Sequence, residues 1–338
     1  MQYSSTVAGR AGENFDASRP ALGGERRVWW VAFGLILAAC VAWAAAVPPL
    51  TGPDEWAHAY RAAAVARGEV TGTKVDNPLF GDAIVEVDVP EALVQEAEAG
   101  RCFLGNPREQ LISPIANDIA SCPEPGGTRT LVTTTTSEHR GQPIYYFLVG
   151  LPTLAFPGTI GSYLMRFVGA ALCSALLASA VVSLLRLRPN RLVVVGGAVA
   201  LTPAMFYFAA VTNTAGVEMA ASLGLYASGA ALARSRFAVD GRLVARAGVA
   251  LVALVLSRGL SPAFALLAAV VLVLVAPPGR VRGLLGRTDV RAWAAAGAVA
   301  AVFSAGWVLW VHQVFKLPHR AGIGLVDGVG ELSWDLRD

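Results

Sequence analysis

Charge is what this sequence has least of. Asp, Glu, Lys and Arg make up 15% of its 338 residues, where soluble domains carry about a quarter, and that excludes an ordinary soluble fold. Neither sign dominates: 27 basic residues face 24 acidic ones, for a formal net charge of +3. The arginines are dispersed between apolar runs rather than massed, so no nucleic acid is expected as a partner. There is no glycine-rich phosphate loop, no metalloprotease signature, no Cys/His metal spacing and no internal repeat. Cysteines number four; Cys40 and Cys173 lie inside apolar runs, whereas Cys102 and Cys122 share one long polar segment.

What is abundant is hydrocarbon. AVILMFWYC residues make up 55% of the chain, gathered into uncharged runs of bilayer-spanning length, so the expected fold is an all-α transmembrane, polytopic helical bundle of about seven spans. The spans are expected at residues 28–47, 160–185, 192–210, 215–233, 243–256, 261–276 and 292–311. Arg26 and Arg27, Arg186 to Arg191, Arg234 to Arg242 and Arg280 to Arg287 fall on one side of this arrangement. The positive-inside rule makes that side cytoplasmic, in a multi-pass plasma-membrane protein with a cytoplasmic N-terminus. The two short runs at 243–276 then form a hairpin turning near Ser257 to Ser261.

The chain accordingly divides into a disordered cytoplasmic tail (1–27), a first helix (28–47), a large extracytoplasmic loop with interfacial helices (48–159), six further spans (160–311) and an extracytoplasmic end (312–338). The loop from 48 to 142 carries fourteen acidic residues against seven basic ones. In an oxidising exterior Cys102 can pair with Cys122, stabilising the loop by roughly 3 kcal/mol in the chain-entropy model; two free thiols are the alternative. Residues 143–156, interrupted by Pro152, read as an interfacial helix with Tyr145 and Tyr146 at headgroup depth. His139 reads as a solvated loop histidine, and Trp307 and Trp310 as interfacial anchors.

Ionisable groups at the membrane edge are functional candidates by default. Asp54, Glu55, His58, Arg166, Asn213, Glu218 and Arg258 all fall on the extracytoplasmic side, Arg166 about 9 Å inside the second span. The competing reading is that charges simply prefer helix ends and arginines reach for headgroups. A helix starting near Asp54 would set Asp54, His58 and Arg61 on one face, joining acid, imidazole and guanidinium. Such a set can hold a general base beside phosphate-binding donors, although a capped surface helix explains the acids equally well.

The run Pro48-Pro49-Leu50-Thr51-Gly52-Pro53-Asp54-Glu55-Trp56-Ala57-His58, followed by Tyr60-Arg61, resembles the signature of the bacterial membrane proteins of domain of unknown function 2142, in the broad GT-C glycosyltransferase superfamily. Gln142-Pro143-Ile144-Tyr145-Tyr146, Leu201-Thr202-Pro203 with Asn213, and Ser257-Arg258 before Ser261-Pro262 are similar to further elements of that family. After Asn213 the family's Pro-Asp is replaced by Thr214-Ala215, which passes any role of that acid to Glu218. Family members usually continue through further spans, so a fragment or shortened paralogue is expected. The resemblance implies a GT-C-like enzyme of cell-envelope glycan assembly that transfers sugar from a polyprenyl-phosphate donor to a glycan or protein acceptor. Asp54 or Glu55 would be the base, or Asp54 a ligand of Mg2+ or Mn2+. Arg258 and Arg166 would neutralise the donor phosphate, with His58, Arg61, Tyr145, Asn213 and Glu218 around the substrate. The alternative is a non-enzymatic polyprenyl-lipid transporter or envelope-assembly scaffold. The absence of an inverted repeat and the scarcity of midplane charge count against a transporter.

Overall fold

A computed structural model describes residues 22–75, 84–104, 126–187, 191–234, 239–277 and 279–314. The chain runs α1 (Leu22–Ala46), α2 (Glu55–Ala66), β1 (Thr73–Lys74), β2 (Val85–Pro90), α3 (Glu91–Leu104), β3 (Leu131–Thr136), a 3-10 turn (Glu138–Arg140), α4 (Pro143–Gly150) and α5 (Pro152–Ala155). It continues through α6 (Thr159–Leu184), α7 (Arg191–Ala200), α8 (Pro203–Ala210), α9 (Thr214–Arg234), α10 (Gly241–Val255), α11 (Ser261–Val275), α12 (Arg280–Leu285) and α13 (Thr288–Val314). Helices cover the seven apolar runs. Among the described residues three helices are long and apolar enough to cross a membrane: Gly24–Ala46, Thr159–Leu184 and Thr288–His312.

Local chemistry sets the ends. Pro48 and Pro49, which have no N–H to give, follow α1 directly. Asp240 caps α10 by accepting from Leu243 N at 2.9 Å. The run expected as one span at 192–210 is broken instead into α7 and α8. Pro203 cannot donate back into the preceding turn, and the Thr202 side chain accepts from Met205 N to open a new helix. α1 starts at Leu22, earlier than the apolar run alone indicated, because Glu25 is held by Arg186 and Arg246.

α6 is the central post: α1, α8 and α9 pack on it, α10 packs on α9, and α13 on α10. Ser183 and Ser228 share a hydrogen bond of 2.9 Å across α6 and α9, and Gly224 allows Ala250 of α10 to approach closely. Outward-facing side chains are apolar, among them Leu274 and Val302, which are 78% and 75% exposed. In water such a surface would aggregate, and hydrocarbon solvates it.

Between α1 and α6 the chain is not helical throughout, as an all-α reading requires. An antiparallel sheet of order β1-β2-β3 packs on α2, with Val87 opposite Thr134. Val85, Val87 and Val89 point into the core while Asp88 faces outward, the period-two pattern of a half-buried strand. α4 lies against α2 so closely that a Cβ on Gly150 would stand 2.0 Å from the Ala62 carbonyl oxygen. Gly150→Ala therefore forces the two helices apart. It should cost about 1–3 kcal/mol as overpacking, read as a lowered thermal-unfolding midpoint of the solubilised protein.

Candidate functional site

The turn after α1 is fixed by one ion pair. Arg166, early in α6, and Glu55, the first residue of α2, are both wholly excluded from solvent. The guanidinium meets the carboxylate as a fork, Nε to Oε1 and Nη2 to Oε2, each 2.7 Å. Its other N–H groups donate to the carbonyl oxygens of Ala44 (2.8 Å), Val47 (2.6 Å) and Pro48 (2.7 Å), acceptors that the end of a helix leaves unpaired. Glu55 also accepts from the backbone N–H groups of Gly52 and Thr212, 3.0 Å each. Glu55 as base and Arg166 as phosphate ligand thus meet a correction: both side chains are committed to each other and to backbone, and neither is presented to a substrate.

Asp54 is the free acid. It is exposed, caps no helix with its side chain, and holds the left-handed backbone conformation at φ 53°, which Asp tolerates better than most residues. One turn on, His58 is buried against α4. Burial, and then the positive charge of Arg258, push its imidazole down to about 3, so it is neutral near pH 7. The Tyr146 hydroxyl donates to Glu138 Oε2 at 3.3 Å, and the neutral His58 Nδ1–H donates to Tyr146 at 2.8 Å. Glu138 Oε2 lies 3.6 Å from that nitrogen. Burial first, and the negative charge of Asp54 second, raise the Glu138 carboxyl above its ordinary value. Gly141 makes room for this relay, because a Cβ there would stand 2.4 Å from the Tyr146 ring.

Glu138, Arg140, Tyr146, Arg258 and His312 line a cavity of about 340 Å³. Arg258 reaches it from the turn between α10 and α11, half exposed, with Nη1 3.7 Å from Glu218 Oε2. Glu218 Oε1 also accepts from Ser261 at 2.6 Å. Gln142 fastens that turn through Nε2, which donates to the Val255 carbonyl (3.3 Å) and to Ser304 Oγ (2.6 Å). Tyr145 and Asn213 are struts. The Tyr145 hydroxyl donates to Asn213 O at 3.2 Å, and Asn213 bridges Pro53 O (3.1 Å) and Ala215 N (2.8 Å). Tyr145 is buried there.

Arg61 lies beneath the cavity, fully buried between the rings of Tyr146 (5.8 Å) and Trp307 (5.9 Å). Its Nη2 donates to Gly141 O at 3.3 Å, while Nε and Nη1 have no hydrogen-bond partner. The structure thus brings Asp54, His58, Arg258 and Glu218 to one region, with Arg61, Tyr145 and Asn213 as its supports. Sequence reasoning missed Glu138, Tyr146 and His312 as parts of the cavity wall. The signal available was the ionisable cluster Glu138-His139-Arg140 just before Gln142-Pro143. His139 is buried rather than solvated, and Trp307 is buried with Nε1 donating to Arg140 O at 3.1 Å, not an interfacial anchor. Cys102 is disulfide-bonded; its expected partner Cys122 lies outside the described residues. Asp54, Glu138 and Glu218 are the acids near the cavity. Among the described residues no group of three or more His, Cys, Asp or Glu is placed to hold a metal.

The family described as predicted membrane protein DUF2142 matches residues 37–331, which takes in every group named above. The chain belongs to that family. No curated protein and no solved structure matches. In this DUF2142 protein the two neighbouring acids of the Pro53-Asp54-Glu55 run therefore have opposite employment, one structural and one free. Arg166→Met, which strands Glu55 in the interior, should cost about 3–5 kcal/mol. Asp54→Asn should leave the unfolding midpoint unchanged in the same thermal assay; equal losses would contradict the division.

Proposed function

We propose that this protein is a GT-C-like membrane glycosyltransferase in cell-envelope glycan assembly, using a polyprenyl-phosphate-linked sugar. In this reading the bundle has about seven spans and a cytoplasmic N-terminus, and the Glu138 cavity opens extracytoplasmically. The observation that carries the proposal is a junction. The polar cavity adjoins an apolar groove of about 790 Å³ walled by Tyr145, Leu148, Leu176, Val249 and Leu256, and Ser257 lines both. A substrate with a charged head and a long hydrocarbon tail fits that pairing, and a soluble nucleotide sugar leaves the groove unused.

Arg258 lies where a donor phosphate would sit, and its charge favours the leaving polyprenyl phosphate as negative charge gathers on the departing oxygen. The acceptor hydroxyl attacks the anomeric carbon, the bond from that carbon to the phosphate oxygen breaks, and the hydroxyl proton passes to a carboxylate. Glu138 suits this better than the Asp54 expected from the motif. It lines the cavity, it is oriented by Tyr146 and His58, and its raised carboxyl is closer to working pH. Asp54 then acts on Glu138 through its charge.

Glu138 must be ionised to accept the proton, so the rate rises as pH passes its pKa. Asp54→Asn removes a charge that raises that pKa and should move the acidic limb of the kcat/KM profile to lower pH. Glu138→Gln should lower transfer from radiolabelled polyprenyl-phosphate sugars by about 10²-fold or more while donor binding persists. Donor binding by the wild type with no release or transfer of sugar would favour a lipid transporter or scaffold instead.

A further inference from the structure

The apolar groove has a second end that a lipid-linked donor does not explain. From Ser257 it runs down α10 to Arg242 and Arg246, with Glu25, Arg26, Trp29 and Trp30 of α1 opposite. That is about 22 Å of helix, against a hydrocarbon core of ~30 Å. A tail descending from the Glu138 cavity needs only the apolar wall, yet the far end is strongly cationic.

The local carboxylates are already taken. Glu25 accepts from Arg186 Nε and Nη2 at 2.9 Å each and from Arg246 Nη2 at 3.3 Å. Asp240 accepts from Arg186 Nη2 at 2.8 Å and from the backbone of Leu243 at 2.9 Å. Arg186 alone occupies most of both acids, and Asp289, next to Gly241, is paired with Arg287, so the five arginines Arg26, Arg186, Arg242, Arg246 and Arg287 outweigh the three carboxylates. Arg26 and Arg242 have no ion pair among the described residues, and Arg246 Nη1, shielded from water, has no hydrogen-bond partner. Beside them the wall is hydrocarbon and indole: Trp29 is pinned by its Nε1 bond to Ser179 Oγ at 3.0 Å, while Trp30 and Val249 are exposed along the groove's open side. Surplus cationic donors at the mouth of a laterally open apolar groove call for an anion that carries its own acyl chain.

We propose that this end binds one anionic phospholipid, its phosphate on Arg26, Arg242 and Arg246 and an acyl chain against Trp29 and Trp30. The site is separate from the Glu138 cavity and is read out without turnover, so it stands or falls independently of the glycosyltransferase reading. The test is native mass spectrometry of the full chain, released from detergent after exposure to equal amounts of phosphatidylglycerol and phosphatidylcholine. The wild type should retain one phosphatidylglycerol in preference to phosphatidylcholine, and excess inorganic phosphate should not displace it. Arg26→Gln with Arg242→Gln, which breaks no ion pair among the described residues, should lower that occupancy several-fold. Arg282→Gln with Arg291→Gln, which removes the same charge from exposed positions outside the groove, should not. Undiminished phosphatidylglycerol on the first double variant, equal retention of phosphatidylcholine, equal loss in the control or displacement by phosphate would each overturn the proposal.

Discussion

Two side chains withdrawn entirely from water, Glu55 and Arg166, hold the end of α1, the start of α2, the body of α6 and the turn before α9 at one point. Burying a charge is costly unless it is paired and its remaining hydrogen-bonding capacity is used. Here the guanidinium finds three carbonyl oxygens besides the carboxylate, and the carboxylate finds two backbone N–H groups besides the guanidinium. Replacing both partners by hydrocarbon would remove the desolvation cost along with the attraction. What would be lost is direction: with the Asn213 bond to Pro53 O, this fork sets the chain leaving α1 so that Asp54 emerges into solvent while His58, one turn later, turns inward.

From that anchor the site is built by burial gradients. Glu55 is committed, Glu138 is intermediate and poised, and Asp54 is wet. Arg166 is saturated, Arg61 is caged by rings, and Arg258 is half exposed with Glu218 3.7 Å away. The same functional groups thus take structural, supporting and solvent-facing places according to how much water each retains. The neutral imidazole of His58 follows from the same logic, because burial and a nearby cation both oppose its proton.

The helices were legible because a bilayer leaves few options to a long apolar run, but the break at Pro203 was not read from the sequence, where residues 192–210 stood as one span. The sheet escaped for a converse reason. Val85-Glu86-Val87-Asp88-Val89 alternates cleanly, but its charges and shortness hide it from a reading tuned to long apolar stretches. At the site, the Pro53-Asp54-Glu55 run announced its importance without revealing that its two acids part ways, since whether a carboxylate is paired depends on Arg166, more than a hundred positions later. Glu138 carried no motif, and its significance arises only where Tyr146 and His58 meet it.

The bond from Gln142 to Ser304 and that from Trp307 to the Arg140 carbonyl join the middle of the chain to α13. During synthesis the acids and the histidine of α2 leave the ribosome long before Arg258, and Arg258 before Trp307 and His312. The cavity wall therefore has no counterpart in any partially made chain. The Gln142 bond to Ser304 and the Trp307 bond to the Arg140 carbonyl form only once α13 has docked. A chain in which α13 has not docked has every residue of the acidic motif and still lacks the Val308, Val311 and His312 side of the cavity.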